Sequence, residues 1–190
     1  MKVPLRFQIT EFDCGPVSLL NAFSYLFSLE EIPAEIVKTI YQYTLDCYDE
    51  YGNVGHGGTS REAISKFVCW ITDYIDLHHF NVRCDYLEKE EVTLKKIVNC
   101  LELGGVCFVR TWLKNEHYII VTKIKGNDVY IFDPYYLDFN KYSDSQVKII
   151  LNKPFTHNRK VSLKRFLSET EKDFSLGKIC GRQCVLIYRT

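Results

Sequence analysis

A cysteine at position 14 stands at the end of Gln8-Ile-Thr-Glu-Phe-Asp13-Cys14-Gly15-Pro16, and an apolar segment, Val17 to Phe27, follows at once. Val17, Leu20, Phe23 and Phe27 recur at near-helical spacing, so Cys14 falls at the start of a helix. Pro16 suits the first turn, where its missing N–H costs little. A thiol there meets the positive end of the helix dipole and several unpaired backbone N–H groups. Both favour the thiolate, which is the nucleophilic form. Such a nucleophile needs a base to take its proton and a group to orient that base. His117 and Asp133 answer to those two needs. His117 opens a β-branched run, His117-Tyr-Ile-Ile-Val-Thr-Lys, and Asp133 closes the next run, Val129-Tyr-Ile-Phe132, ahead of Pro134. The two have the same parity along strands joined by one hairpin. A hairpin centred near Lys125 sets them close to opposite each other. One centred on Gly126-Asn127 offsets them by a residue or two, which twist or a bulge absorbs.

The other histidines are less suited. His78 and His79 are adjacent and point to opposite faces if they lie in a strand. His56 sits in a glycine-rich loop and His157 in a polar stretch. Of the eight cysteines, Cys69, Cys100 and Cys107 lie inside apolar patterns and read as buried free thiols. Cys180 and Cys184 have a spacing that zinc sites use, but no second pair lies near to close a tetrahedron, so no metal and no cofactor is expected. Tyr118, Trp112, Phe12 and the loop from Gly55 to Thr59 are the candidate walls of a cleft around Cys14.

The elements that must hold these groups divide in order along the chain. Helices are expected from Cys14 to Phe27, from Pro33 to Tyr43, after a capping pattern at Thr59-Ser-Arg-Glu62, and after Thr93, with Gly104 ending the last. Phe80 to Cys84 reads as a short strand. From Val106 the texture turns β-branched and aromatic: Val106–Trp112, His117–Ile124, Val129–Phe132 and Cys184–Tyr188, with a short helix near Leu163 capped by Ser162. Helices first and antiparallel strands second is an α+β layout. The expected organisation is one domain over 1–190, a helical part to about 104 packed on a sheet part from about 105, with a groove between them.

At 190 residues the chain is long enough for one well-buried core. Lys plus Arg and Asp plus Glu number 24 each, which offers no field to draw nucleic acid or anionic lipid. Lys153 to Arg165 is locally basic and reads as a solvated loop and helix face. No apolar run reaches the length of a membrane helix, about 20 residues, and the first residues lack a signal-peptide core. The expectation is a cytoplasmic protein with no nucleic-acid partner and no membrane insertion.

Taken together, Gln-x5-Cys with Asp-Cys-Gly-Pro, then His-Tyr-Ile-Ile-Val, then Val-Tyr-Ile-Phe-Asp-Pro resemble the bacteriocin-processing (double-glycine leader) cysteine peptidases, which are papain-like thiol enzymes. The similarity runs from about Gln8 to Pro134, and Gly58-Thr59-Ser60 also resembles the family's stretch before its next helix. The resemblance implies a papain-like fold, Cys14 as nucleophile, His117 as general base and acid, and Asp133 as the orienting carboxylate. It implies that the Gln8 side chain and the Cys14 backbone N–H form the oxyanion hole. The expected activity is hydrolysis of a peptide bond, with a Gly-Gly leader as a candidate substrate. Two other readings use the same residues: an acyl or peptidyl transferase, and a catalytically silent peptide-binding module. The residues after Pro134 carry no motif of that family.

Overall fold

The segment after Cys14 is buried on every side, which makes α1 (Cys14–Leu26) the central helix rather than a surface one. The computed structural model describes residues 1–137 and 143–190. Two helices pack beside α1: α2 (Ala34–Thr44), through Ile36 and Ile40, and α3 (Arg61–His78), through Ile64, Phe67, Val68 and Ile71. Ser60, not Thr59, caps α3, accepting the N–H of Ala63 at 3.0 Å. The hydroxyl of Thr59 instead donates to the Thr44 carbonyl at 2.7 Å. His78 and His79 lie at the end of α3 and in its left-handed cap, so they are not strand residues.

Seven strands form one antiparallel sheet: β1 (Val82–Glu88), β2 (Val106–Leu113), β3 (Asn115–Lys125), β4 (Asp128–Phe132), β5 (Val147–Ile149), β6 (Arg159–Ser162) and β7 (Gln183–Arg189). Their spatial order is β1-β7-β2-β3-β4-β6-β5. The last strand in the chain therefore lies between the first two. Val106 to Val109 are all buried because both sheet faces are covered. One face carries Phe108, Tyr118, Ile120, Phe132 and Val185 against α1, α2 and α3. The other carries Cys107, Ile119, Val121, Ile131 and Leu186 against α4 (Leu94–Glu102) and α5 (Leu163–Phe166). This is an α+β fold with helices on both sides of the sheet. The strands β5 and β6 had no counterpart in the sequence reading. Among the described residues no helix is long and apolar enough to cross a membrane.

Thiol placement follows burial only in part. Cys100, Cys107 and Cys184 are buried and free, as an apolar setting suggests, but Cys69 lies exposed on α3, on the side away from the core.

Candidate active site

A hairpin and a bulge bring His117 and Asp133 together. Gly126 and Asn127 form the two-residue turn between β3 and β4, with Lys125 opposite Asp128 and Gly126 at φ 59°. The register is regular to Lys123 opposite Tyr130, then shifts, so that Val121 faces Ile131 and Ile120 faces Phe132. Thr122 is the extra residue. Continued past the bulge, this register sets Asp133 opposite Ile119, on the same face as His117 and diagonal to it. Without the bulge Asp133 would fall opposite Ile120 and project from the other face, since a one-residue slip reverses every side chain. The diagonal is short enough for the side chains to meet: His117 Nε2 lies 2.7 Å from Asp133 Oδ1.

The remaining ring nitrogen, Nδ1, is left for the thiol, and the imidazole of His117 and the Cys14 thiol each shift the other's pKa. The backbone N–H of Tyr118 is also turned to the sulfur. Cys14 and His117 are 7% and 6% exposed, yet both line a cleft of about 730 Å³. They form its floor rather than its rim. Burial alone pushes the Cys14 thiol up. The hydrogen bond and positive charge of His117 and the Tyr118 N–H outweigh burial and bring the thiol below its ordinary value. Burial likewise pushes His117 down, but the charge and hydrogen bond of Asp133, with the Cys14 sulfur, raise it to about 10. Electrostatics thus favours thiolate beside imidazolium.

The start of α1 is fixed by close packing. A side chain at Gly15 would overlap Thr59 Oγ1 and Cβ, so only glycine lets the loop before α3 lie against the helix end that carries the thiol. That loop supplies one cleft wall, Gly57 and Gly58, beside Phe12, whose ring stacks on His56 at 5.2 Å. Leu113 to Glu116 of the β2–β3 hairpin supply the opposite wall. Two expected wall residues lie elsewhere. Tyr118 alternates to the face opposite His117, where its ring stacks on Phe108 and its hydroxyl donates to Gln183 Oε1 at 2.7 Å. Trp112 packs against Gly177, where a Cβ would overlap the indole nitrogen.

Gln8 runs beside Pro134, donating its backbone N–H to the Pro134 carbonyl at 2.9 Å. Its carboxamide nitrogen donates to the Thr10 carbonyl at 2.8 Å, and its Oε1 is buried without a hydrogen-bond partner. Gln8 is therefore next to the Asp133–Pro134 corner, with its amide turned to its own loop.

Two residues around Asp133 had no place in the sequence reading. The Asn158 side chain accepts the Asp133 N–H at 2.8 Å and donates to the Asp133 carbonyl at 2.7 Å. Arg159, the first residue of β6, brings Nη2 to 3.3 Å from Asp133 Oδ2 and donates from it to the Tyr135 carbonyl at 2.9 Å. Arg159 is 1% exposed and Arg165 6%. Two cations of the stretch read as solvated thus turn inward, because each meets a carboxylate: Arg159 meets Asp133, and Arg165 meets Asp144 at 2.6 Å. The one local signal was Arg159-Lys160-Val161, whose alternation puts Arg159 and Val161 on one face of a strand. Among the described residues no group of three or more His, Cys, Asp or Glu side chains is arranged to hold a metal ion.

No family model matches this sequence, and no curated protein matches it. Solved structures do match by shape. The fold is similar to the peptidase domain of Streptococcus ComA, a bi-functional ABC transporter involved in a quorum-sensing pathway. The two are 16% identical, with a TM-score of 0.50 over 96% of each chain. It is also similar to a double glycine motif protease from an AMS/PCAT transporter, solved in complex with the leader peptide. That pair is 18% identical, with a TM-score of 0.48 over 100% of this chain and 93% of the other. The chain thus has an α+β architecture similar to that of the ComA peptidase domain.

Proposed function

We propose that this chain is a papain-like cysteine peptidase in which Cys14 is the nucleophile, His117 the general base and acid, and Asp133 the orienting carboxylate. The observation that carries the reading is the His117 ring, hydrogen-bonded to the buried Asp133 and lining one cleft together with the Cys14 thiol on which its charge acts. The thiolate attacks a peptide carbonyl carbon, forming a C–S bond and an oxyanion. The Cys14 backbone N–H meets that oxyanion, and the Gln8 amide, which donates to the Thr10 carbonyl, turns from its loop to join it. The imidazolium of His117 gives its proton to the leaving amine as the C–N bond breaks, leaving an acyl-enzyme. Water then attacks, its proton passes to His117, and the C–S bond breaks to release the acid and restore the thiolate. Asp133 holds the ring and balances its charge throughout. A peptide ending in Gly-Gly at the cleavage point is the proposed substrate, received by the cleft that Gly57, Gly58 and Phe12 line beside Cys14.

The test uses a peptide library containing Gly-Gly sequences, with iodoacetamide as a thiol probe. Cys14→Ala is expected to abolish cleavage while melting like the wild type, and Gln8→Ala to lose on the order of 10²–10³ in turnover. At pH 6 the probe is expected to label Cys14 ahead of the exposed Cys69 and Cys180. Cleavage retained by the alanine variant at position 14 would overturn the reading.

A further inference from the structure

We propose that Arg159 is a positioning residue of this site, the buried counter-ion that balances the Asp133 carboxylate and holds it turned so that Oδ1 faces His117. The inference rests on the peptidase reading above.

The argument begins where β4 ends. The β4–β6 ladder runs from Asp128 opposite Ser162 to Ile131 opposite Arg159, and then the two strands part. Pro134 has no N–H to extend the ladder. The Asn158 carboxamide replaces it, binding both the N–H and the carbonyl of Asp133 and fixing that backbone in place. The carboxylate so presented is 0% exposed. A carboxylate removed from water takes up a proton unless opposite charge and hydrogen bonds compensate. Oδ1 has two such partners, His117 Nε2 at 2.7 Å and the Tyr135 N–H at 2.9 Å. Oδ2 accepts no hydrogen bond, and the guanidinium of Arg159 stands 3.3 Å from it. The guanidinium is itself held by the carbonyls of Tyr135 and Asn158, at 2.9 and 3.0 Å, so it is rigid.

Charge completes the case. In the reactive state the chain reads Cys14 negative, His117 positive, Asp133 negative. Without Arg159 this buried run carries a net negative charge; with it, charges alternate and cancel. Arginine suits that duty because it stays protonated. Other titratable or charged groups surround the run, and Lys114, Tyr135, Asp144 and Asp173 line the cleft with it. Tyr118, from β3, turns its N–H to the sulfur and its hydroxyl to Gln183. Arg110 and Glu116 pair with each other at the β2–β3 hairpin. Glu11 and His56 line the cleft mouth, and Asp13 accepts the Thr10 N–H at 3.2 Å. Loss of the Arg159 charge therefore leaves the buried run net negative, which disfavours the Cys14 thiolate and moves the acid side of the pH dependence upward.

The experiment measures the rate of Cys14 alkylation by iodoacetamide against pH in the wild type and in Arg159→Gln, Arg159→Met and Arg159→Lys. The neutral variants are expected to shift the acid midpoint upward by about one pH unit, and Arg159→Lys to restore it. Neutral variants that fold, react more slowly at every pH and keep the wild-type midpoint would overturn the inference, since a purely structural role lowers the rate without moving the midpoint. If neither neutral variant folds, Arg159→Lys decides: a wild-type midpoint supports the counter-ion role and a shifted one sinks it. A wild-type midpoint near that of a free thiol, about 8.5, would remove the peptidase reading and the inference together. A low wild-type midpoint that Arg159→Gln leaves in place removes the inference alone.

Discussion

The thiol of Cys14 sits where burial and charge oppose each other, and charge wins. Its pKa lies below that of an ordinary cysteine, and that of His117 is raised to about 10. The reactive pair exists between those two limits. Activity is therefore expected to rise through an acid limb below the ordinary thiol range, hold across neutral pH, and fall on the alkaline side as His117 loses its proton. Asp133→Asn removes the charge that raises His117, so its alkaline limb is expected to drop from about 10 toward the free-imidazole value. A cleavage-rate profile of the two proteins checks this, and an unchanged alkaline limb would contradict the role of Asp133. At this scale Cys14, His117 and Asp133 were legible because each combines a reactive type with an informative local setting: a helix start, a strand start, a strand end. Asn158 and Arg159 were not. Their side chains sit in a cationic stretch that resembles a solvated surface, and only the three-dimensional path of β6 reveals what they meet.

At the scale of elements, two local features decide whether the groups meet. One is the bulge at Thr122, which sets the face from which Asp133 projects. The other is the contact between Gly15 and Thr59, which locks the start of α1 to the loop before α3. Gly15→Ala forces that contact apart, and overpacking of this kind costs about 1–3 kcal/mol. The variant is expected to melt at a lower temperature and to cleave more slowly, because the thiol moves with the helix end; a melting temperature equal to wild type would show that the loop yields freely. Long elements with a clear apolar period, α1, α3 and α4, and the apolar strands β2, β3, β4 and β7 could be read directly. The strands β5 and β6 could not, being three and four residues long with Lys148, Arg159 and Lys160 among them. The cap of α3 slipped by one residue because Thr59 and Ser60 both carry hydroxyls, and Thr59 uses its own on α2.

Across the whole molecule, chain order and spatial order differ. The sequence suggests a short strand at Phe80–Cys84 ahead of α4, but not that among the described residues β1 joins the sheet only through β7, the last strand in the chain. Helices also cover both faces rather than one. Such pairings link residues far apart in the chain, where local patterns carry no information. We propose that 1–190 folds as a single unit for this reason. A chain ending after Leu137 lacks β5, β6 and β7, which leaves β1 without its only partner and Asp133 without Asn158 and Arg159. It is expected to show no cooperative thermal transition and no preferential labelling at Cys14; a sharp melt would refute the single-unit proposal.

The place of β7 between β1 and β2 also bears on synthesis. Ribosomes deliver the N-terminal side first, so residue 14 emerges before His117, and both emerge before β7, the strand that completes the sheet. On the peptidase reading, a half-made polypeptide carries its sulfur without a base to arm it. Neighbouring nascent chains on the same message are thereby spared until the sheet has closed.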